Sequence, residues 1–359
     1  MKCLHGLCLL ACLIAVTCSV PSKRIITAPN ALIPSKSESL TPSKQNPTNF
    51  VTYLSIQALM LSYYGSLGCA LPFIPIYYRY LGLSDHTIGL LGSITPAITF
   101  VVSPLWGAFA DYTGKHKQIM IITFVFSFLI RYAFIYRSKN VFIISTIIVL
   151  SAIFNAPVKP LMDSAVLDLL SNKNDYGKSR FFGQVGFGLG SYMVGPIVHS
   201  SSTIHTIFHA HLSISIPTVL LMMKFNPIQK VKSEKDPITK SSFMHIISTS
   251  FRKSEVALFF LVVFFIGVSS GIIENFAYVR MSEIAGKHKN VLGLSRLLSS
   301  LAGGPMFWLS GRILNWLGID RILVLTLTSY FLRFCTYASM RNPVHLKNTL
   351  IPHITYIFL

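Results

Sequence analysis

Nine blocks of about 20 mainly apolar residues follow one another along this chain, and they constrain its fold more than any other feature. A helix of that length crosses the hydrocarbon core of a bilayer with all its backbone hydrogen bonds satisfied internally. The blocks are apolar on every side, so they face lipid as well as protein. The sequence therefore predicts an all-α membrane protein. The predicted spans are Val51–Tyr78, Ile88–Ala110, Gln118–Tyr136, Val141–Met162, Phe181–His199, Ile204–Met223, Val256–Tyr278, Val291–Leu309 and Ile322–Met340, with a partial tenth from about Asn348.

Charged residues make up only 12% of the 359 residues, about half the share in a soluble domain. Too few polar side chains remain to cover a water-soluble globule, which excludes a soluble enzyme. The formal net charge is +19, but the basic residues lie in short segments between apolar blocks and not in a stripe interleaved with aromatic residues. This pattern is typical of cytoplasmic loops beside anionic lipid headgroups, and we expect no binding of nucleic acid.

The spacing of cysteine and histidine residues predicts no cofactor. Only Cys69 and Cys335 lie beyond the first 20 residues, each inside an apolar block, so we expect neither a disulfide framework nor a metal site built on thiolates. Four histidines lie near one end of the sixth span, and two of them share a helical face that could bind a metal. Without acidic partners the cluster is better interpreted as a polar cap at the membrane interface. The four are His199, His205, His209 and His211.

The first 50 residues contain two segments typical of targeting. Residues 1–20 have a charged start and an apolar core, like a secretory signal peptide; the alternative is an additional membrane helix. Residues 21–50 are rich in Ser, Thr, Pro and Lys with Glu38 as their only acid, like a transit peptide or a disordered tail. Together they fit a bipartite leader for a plastid-type envelope; otherwise we expect the plasma membrane or an endomembrane.

Lysine and arginine residues are concentrated in alternate loops. With the start of the first span on the cytoplasmic side, the even-numbered loops contain 14 of these residues and the odd-numbered loops contain eight. The excess predicts a cytoplasmic N-terminus. A cleaved secretory signal would leave that end outside, and either import into an organelle after translation or an overlong gene prediction removes the conflict.

A polar, basic segment at residues 224–253 divides the chain into two groups of spans. Pro227 and Pro237 interrupt it, and we interpret it as a cytoplasmic linker. It joins a six-helix bundle at residues 51–223 to a second bundle at residues 254–359.

The two groups of spans contain matching loops. Residues 107–117 read GAFADYTGKHK and follow the second span, and residues 311–321 read GRILNWLGIDR and follow the eighth. Such a repeat is expected of two parallel halves related by an axis along the membrane normal. The glycines permit a tight turn, and the acid can pair with a basic group of a neighbouring helix, so we expect a latch at one membrane face. The residues of this pattern are Gly107, Asp111, Gly114, Lys115 and Lys117 in the first loop, and Gly311, Asn315, Gly318 and Arg321 in the second.

The first of these loops resembles the signature loop of the major facilitator superfamily. Four further segments resemble its lactose-permease-like and nucleoside-proton-symporter-like subgroup, including the domain-containing-6-like members. The resemblance covers about Val51 to Ala338 and implies a monomeric two-bundle transporter, secondary active or facilitative, for a small polar solute such as a sugar or nucleoside, with protons as the candidate coupling ion. The segments are 71–77 (LPFIPIY), 156–163 (APVKPLMD), 175–187 (DYGKSRFFGQVGF), and 273–276 (IENF) with 292–295 (LGLS).

Charged groups inside apolar blocks are the candidates for substrate or proton binding, because a charge at the bilayer centre costs about 3 kcal/mol on insertion scales. Glu274 lies beside Asn275 in the seventh span. Partly withdrawn from water, it could carry a proton. The alternative is an interfacial acid that pairs with Arg280 or Lys287.

Two arginines lie at similar places in the two halves, Arg131 in the third span and Arg333 in the ninth. Either could hold an anionic group of the substrate or a proton-carrying carboxylate, and the alternative is a structural ion pair between helices. Asp163 follows two prolines in the fourth span and is predicted to pair with Arg180 as a gate contact.

Two features favour a different interpretation, in which the chain is a transceptor, a relic or a truncated gene product that transports nothing. Related sequences often have an acid in the eighth span where residues 302–305 here read AGGP, so coupling through that acid would be missing. A helix that starts at Asn348 cannot cross a membrane before Leu359. We therefore expect about three helices fewer than the family has, as a frame error or missing exon would produce.

Overall fold

The computed structural model describes residues 50–136, 138–198, 203–225, 254–285 and 290–339. These residues are largely helical and contain no β-strand, which confirms the predicted all-α fold. The leader before Phe50, most of the predicted linker and the start of the tenth span lie outside the described residues. The described helices are α1 (Phe50–Ala70), α2 (Ile74–Tyr80), α3 (Asp85–Thr113), α4 (His116–Tyr132), α5 (Val141–Asn155), α6 (Val158–Leu169), α7 (Tyr176–Val194), α8 (Thr206–Lys224), α9 (Ser254–Ala285) and α10 (Asn290–Ser339).

Six helical segments are long and apolar enough to cross a bilayer. Two of the predicted spans are interrupted helices, α1–α2 and α5–α6, and each still qualifies as one segment. The predicted fifth span is α7, which contains glycines and two basic residues and is less apolar. The predicted eighth and ninth spans together form α10. The six segments are Phe50–Tyr80, Asp85–Thr113, His116–Tyr136, Val141–Leu169, Thr206–Lys224 and Phe259–Ile284.

Local sequence explains where the helices begin, end and break. Ser84 and Asn140 lie just before α3 and α5, and each side chain accepts a hydrogen bond from a backbone N–H of the first turn. Gly114 ends α3 with φ 66°, a conformation that glycine adopts without a steric cost. Gly318 has φ 75° and ψ 165°, which is not helical, and this break inside α10 separates the predicted eighth span from the ninth.

Helices α1–α8 form a bundle that is held by two apolar clusters. We call the end at which α1 begins the N-end, and the opposite end the distal end. At the distal end the Tyr77 ring centroid lies 5.1 Å from that of Phe208, and the Tyr77 hydroxyl donates to the Phe134 carbonyl at 2.7 Å. Towards the N-end, Tyr63 and Phe124 lie in the second cluster with ring centroids 5.6 Å apart. Aromatic packing therefore fixes both ends of the bundle.

Helix α7 packs very closely between α1 and α10. A Cβ atom added at Gly186 would lie 2.1 Å from the Leu61 carbonyl oxygen of α1, so only glycine permits this approach of the two backbones. On the other side, a Cβ atom at Gly195 would lie 2.8 Å from Cα of Gly293 in α10. Because one helix contacts both groups through its backbone, α7 is the main connection between the six-helix bundle and α10.

The second connection involves only the distal half of α9. There the ring centroids of Phe73 and Tyr278 lie 6.5 Å apart, and Phe276 contacts Gly89 of α3. Nearer its start, α9 is largely exposed, and a Cβ atom at Gly267 or Gly271 would meet nothing within 4 Å. The described part of α9 therefore approaches the bundle at the distal end and is free of it towards the N-end.

Candidate functional site

A group of polar side chains on α1, α6 and α7 faces the second helix group, which consists of α9 and α10. Nη1 of Arg180 lies 3.7 Å from Oδ1 of Asp163, so the structure brings together the two residues that the sequence predicts to pair. Nη1 of Arg180 also donates to the Tyr64 hydroxyl, and the guanidinium carbon lies 4.9 Å from the Tyr64 ring centroid. Tyr176 lies within electrostatic range of Asp163. These contacts link three helices at one site.

The position of α6 follows from the residues around Pro157. Helix α5 ends at Asn155, and α6 begins at Val158, directly after this proline. Val158 and Met162 are fully buried and anchor one face of α6 in the bundle. Lys159 and Asp163 each follow an anchor by one position, so they lie one turn apart on a neighbouring face that points towards the second group.

Lys159 is a site residue that the sequence analysis missed. Its side chain is accessible, and its charged neighbours are Arg180, Asp163 and Glu274. The residue lies within the segment 156–163 that carries part of the family resemblance, and it is a lone basic residue inside an apolar span. That lone charge is the signal in the sequence by which the residue could have been found.

Glu274 and Asn275 reach the site from α9. Glu274 is exposed and lies within electrostatic range of Lys159 across the gap. Asn275 donates from Nδ2 to the Gly271 carbonyl at 2.8 Å, and it packs so closely on α3 that a Cβ atom at Gly92 would lie 2.3 Å from its Oδ1. Arg280, a predicted alternative partner of Glu274, pairs with Glu283 at 3.4 Å instead. The other alternative partner, Lys287, is outside the described residues.

Arg131 lies behind this site, inside the six-helix bundle. Only 6% of its surface is exposed, and Nη1 lies 3.5 Å from Nε2 of His211. His211 Nδ1 lies 2.7 Å from the Ser66 carbonyl oxygen, so Nδ1 donates there and Nε2 is left to accept from the guanidinium. Among the described residues no carboxylate pairs with Arg131. The side chain of Arg333, in α10, is outside the described part of the chain.

The first of the two matching loops links helices of the same bundle. Asp111 Oδ1 lies 3.0 Å from Nε2 of His116, at the start of α4. Lys117 donates from Nζ to the Met223 carbonyl at 2.7 Å. This carbonyl lies at the C-terminal end of α8, where the negative end of the helix dipole stabilises a cation. Lys115 precedes α4, and Gly107 has open space beside it. In the described residues this loop connects α3, α4 and α8, whereas a contact with the second group stays a prediction.

The second loop lies against α7 at the N-end. A cavity of about 350 Å³ opens there between α7 and α10, and Gly311 and Asn315 are part of its lining. Lys178 of α7 pairs with Asp175 at 2.6 Å and lies 5.8 Å from the Trp308 ring centroid. Gly318 breaks the helix beyond this point, and Arg321 is exposed after the break.

Ion pairs at the distal end were also missed by the sequence analysis. Arg79 at the end of α2 donates from Nη1 to Asp85 at 2.7 Å and from Nη2 to Glu283 at 2.6 Å. Glu283 belongs to α9, so this arginine ties the bundle to the second group. The side chains are roughly half exposed, and pairs of this kind contribute up to about 1 kcal/mol each.

The histidines near α8 do not share one environment. His211 is buried on Ser66, whereas His209 Nδ1 lies 3.2 Å from the Tyr132 hydroxyl, with the His205 ring centroid 6.0 Å away. His199 is outside the described residues. Within the described ranges, no group of three or more His, Cys, Asp or Glu side chains is placed to hold a metal ion.

Two helix groups and several membrane-length apolar segments define a multi-pass membrane protein with a charged site between the groups. The chain matches the MFS_1 like family over residues 53–351 and belongs to it, and so to the major facilitator superfamily, whose members are transporters and not enzymes. This confirms the resemblance drawn from the loop at residues 107–117 and from the four further segments.

Relatives and solved structures agree with this assignment. The chain is 22% identical over 277 residues to the uncharacterized transporter YwbF of Bacillus subtilis, and the aligned region covers 76% of this chain and 67% of that protein. It is 27% identical over 281 residues to the maltose permease of Geobacillus stearothermophilus, covering 76% and 68% of the two chains. The crystal structure of the nucleoside transporter NupG superposes with a TM-score of 0.70 at 15% identity, covering 86% of this chain and 78% of that one.

Proposed function

We propose that this chain moves a small polar solute across a membrane by alternating access, through the gap between α1–α8 and the group of α9 and α10. One observation carries the proposal: charged side chains from both groups converge in a chain that has few of them. Lys159, Asp163 and Arg180 come from the bundle and Glu274 from α9. Because each intramembrane charge costs about 3 kcal/mol on insertion scales, we infer that these residues are retained for binding and not for stability.

The comparisons support a sugar-like or nucleoside-like solute, since one relative is a maltose permease and one structural neighbour is a nucleoside transporter. Arg79 forms the closed gate at the distal end in this proposal, because it joins α2 to Glu283 of α9. The gap is then open towards the N-end, where α9 is exposed. The basic loops lie at the N-end, so we place that end on the cytoplasmic side or on its organellar equivalent.

Helix α7 acts as the pivot in this proposal. At its glycine positions the backbone of α7 contacts α1 and α10 directly, so few side chains there would have to repack when the two groups rock. Opening the distal end then requires the separation of Arg79 from Glu283, and also of the aromatic contacts that Tyr278 and Phe276 make with the bundle. The accessible ion pair contributes about 1 kcal/mol of this cost. Both states are populated when contacts formed on closing the N-end offset the total.

Glu274 is the proposed proton carrier. The protonated acid loses its attraction to Lys159, and this changes the balance between the open and closed states of the gap. Glu274→Gln mimics the protonated form permanently, so the variant should exchange solute across the membrane without being driven by a pH gradient.

The experiment uses the full chain in liposomes, with an imposed pH gradient and radiolabelled uridine, maltose, uridine monophosphate and glucose 6-phosphate as probes. Wild-type protein should accumulate at least one of them, and Glu274→Gln should retain counterflow but lose accumulation. Glu255→Gln is the matched control, because it is the same substitution at the start of the same helix, 19 positions before Glu274, and it should keep the pH dependence. Vesicles in which wild-type protein shows neither accumulation nor counterflow of any of the four probes would contradict the proposal.

A further inference from the structure

The charges in the gap between the two helix groups and directly behind it are unequal. Lys159 and Arg180 face Asp163 and Glu274. Arg131, which has no carboxylate partner among the described residues, adds a third positive charge behind them. These residues therefore comprise three basic side chains and two acidic ones.

The basic groups also keep hydrogen-bonding capacity in reserve. Both contacts of Arg180 use the same nitrogen, Nη1, so Nη2 and Nε are left for another acceptor. The Lys159 ammonium makes no hydrogen bond or ion pair within the described part of the chain. A planar fork and an ammonium with donors to spare are the groups that bind carboxylates and phosphates in proteins.

One acceptor at the same site is equally unsatisfied. Oδ1 of Asp163 is buried and accepts no hydrogen bond, since its ion pair with Arg180 is too long for one at 3.7 Å. Because this oxygen is enclosed in the present conformation, a ligand hydroxyl can donate to it only when anion binding moves the Arg180 side chain away from Asp163. The site therefore offers donors for an anion and, beside them, an acceptor for a hydroxyl.

We propose that the solute is an organic anion whose carboxylate or phosphate group binds Lys159 and Arg180 while a hydroxyl group donates to Asp163. This inference rests on the proposed transport function and deepens it, because it names the chemical class of the cargo. Neutral sugars and nucleosides would leave the excess positive charge without compensation. A hydroxy acid or a sugar phosphate satisfies both halves of the site.

Pairs of probes in which one member carries an added carboxylate or phosphate group test the inference. Glucose is compared with glucuronate and glucose 6-phosphate, and uridine with uridine monophosphate, by the thermal stability of the purified full chain and by uptake into proteoliposomes. The anionic members should stabilise the protein and the neutral members should not. Lys159→Gln should weaken anion binding by about tenfold or more, as expected for the loss of a charge-assisted hydrogen bond. Lys159→Arg should retain it, and so should Lys173→Gln, which removes an exposed lysine outside the site.

The outcomes separate the two proposals. Binding of glucuronate alone assigns the carboxylate and binding of the phosphate esters alone assigns the phosphate, and either supports the inference. Equal effects of neutral and anionic probes, no effect of any probe, or an unchanged preference in Lys159→Gln would overturn it. Uptake restricted to neutral probes would overturn the anion site and leave transport standing. Charge-dependent binding without uptake or counterflow would support the site and refute transport.

Discussion

The contact between α1 and α7 gives the sharpest stability prediction. A Cβ atom at Gly186 would lie 2.1 Å from the Leu61 carbonyl oxygen, whereas ordinary contacts begin at 3.4 Å. Gly186→Ala therefore forces the two backbones apart by the difference, about 1.3 Å, because a main-chain oxygen inside a helix cannot rotate away. Overpacking of this kind costs about 1–3 kcal/mol.

The assay is thermal unfolding of the purified protein in detergent, followed by intrinsic fluorescence. A loss of about 2 kcal/mol should lower the midpoint by roughly 3 °C, because the entropy of unfolding grows with chain length. Gly267→Ala is the matched control, because a Cβ atom there meets nothing within 4 Å and alanine is the better helix former. Equal midpoints for Gly186→Ala and Gly267→Ala would refute the argument that backbone contact holds α7 against α1.

Two further predictions concern the ends of the bundle. Lys117→Ala removes the cation from the Met223 carbonyl and should destabilise the protein by about 0.5–1 kcal/mol in the same unfolding assay. Lys115→Ala should have a smaller effect. Equal losses of stability in the two variants would contradict a specific bond between Lys117 and α8. Arg79→Ala removes both ion pairs of Arg79 at the distal end. A thiol-reactive reagent applied at the distal side should therefore label a Lys159→Cys variant about threefold faster than it does when Arg79 is present. An unchanged labelling rate would exclude Arg79 as a gate.

The helical architecture follows from local sequence, which is why it could be predicted. Most apolar blocks of membrane length coincide with described helices. Helix α3 begins three residues before its apolar block because its capping residue, Ser84, lies outside the block, whereas Asn140 caps α5 directly before the predicted start. The break at Gly318 also follows from the residue itself, since its backbone is not helical.

The site was less predictable, because its contacts join residues far apart in sequence. Arg79 and Glu283 are 204 positions apart, and no local pattern relates them. Arg280 pairs with Glu283, three positions later, because residues at that spacing share a helical face, whereas Glu274 lies six positions earlier on another face. The pairing of Asp163 with Arg180 was predicted from the place of Asp163 after two prolines in the fourth span, and its role as a gate stays a prediction.

The central claim is that the charged site between the helix groups is reached in turn from both sides of the membrane. Lys159→Cys in an otherwise cysteine-free chain, labelled in oriented vesicles with a membrane-impermeant thiol reagent, tests it most directly. The account predicts labelling from both sides, faster from the N-end, with the distal rate raised and the N-end rate lowered when Arg79→Ala is added. Labelling from one side only, at rates that Arg79→Ala leaves unchanged, would contradict alternating access through this site.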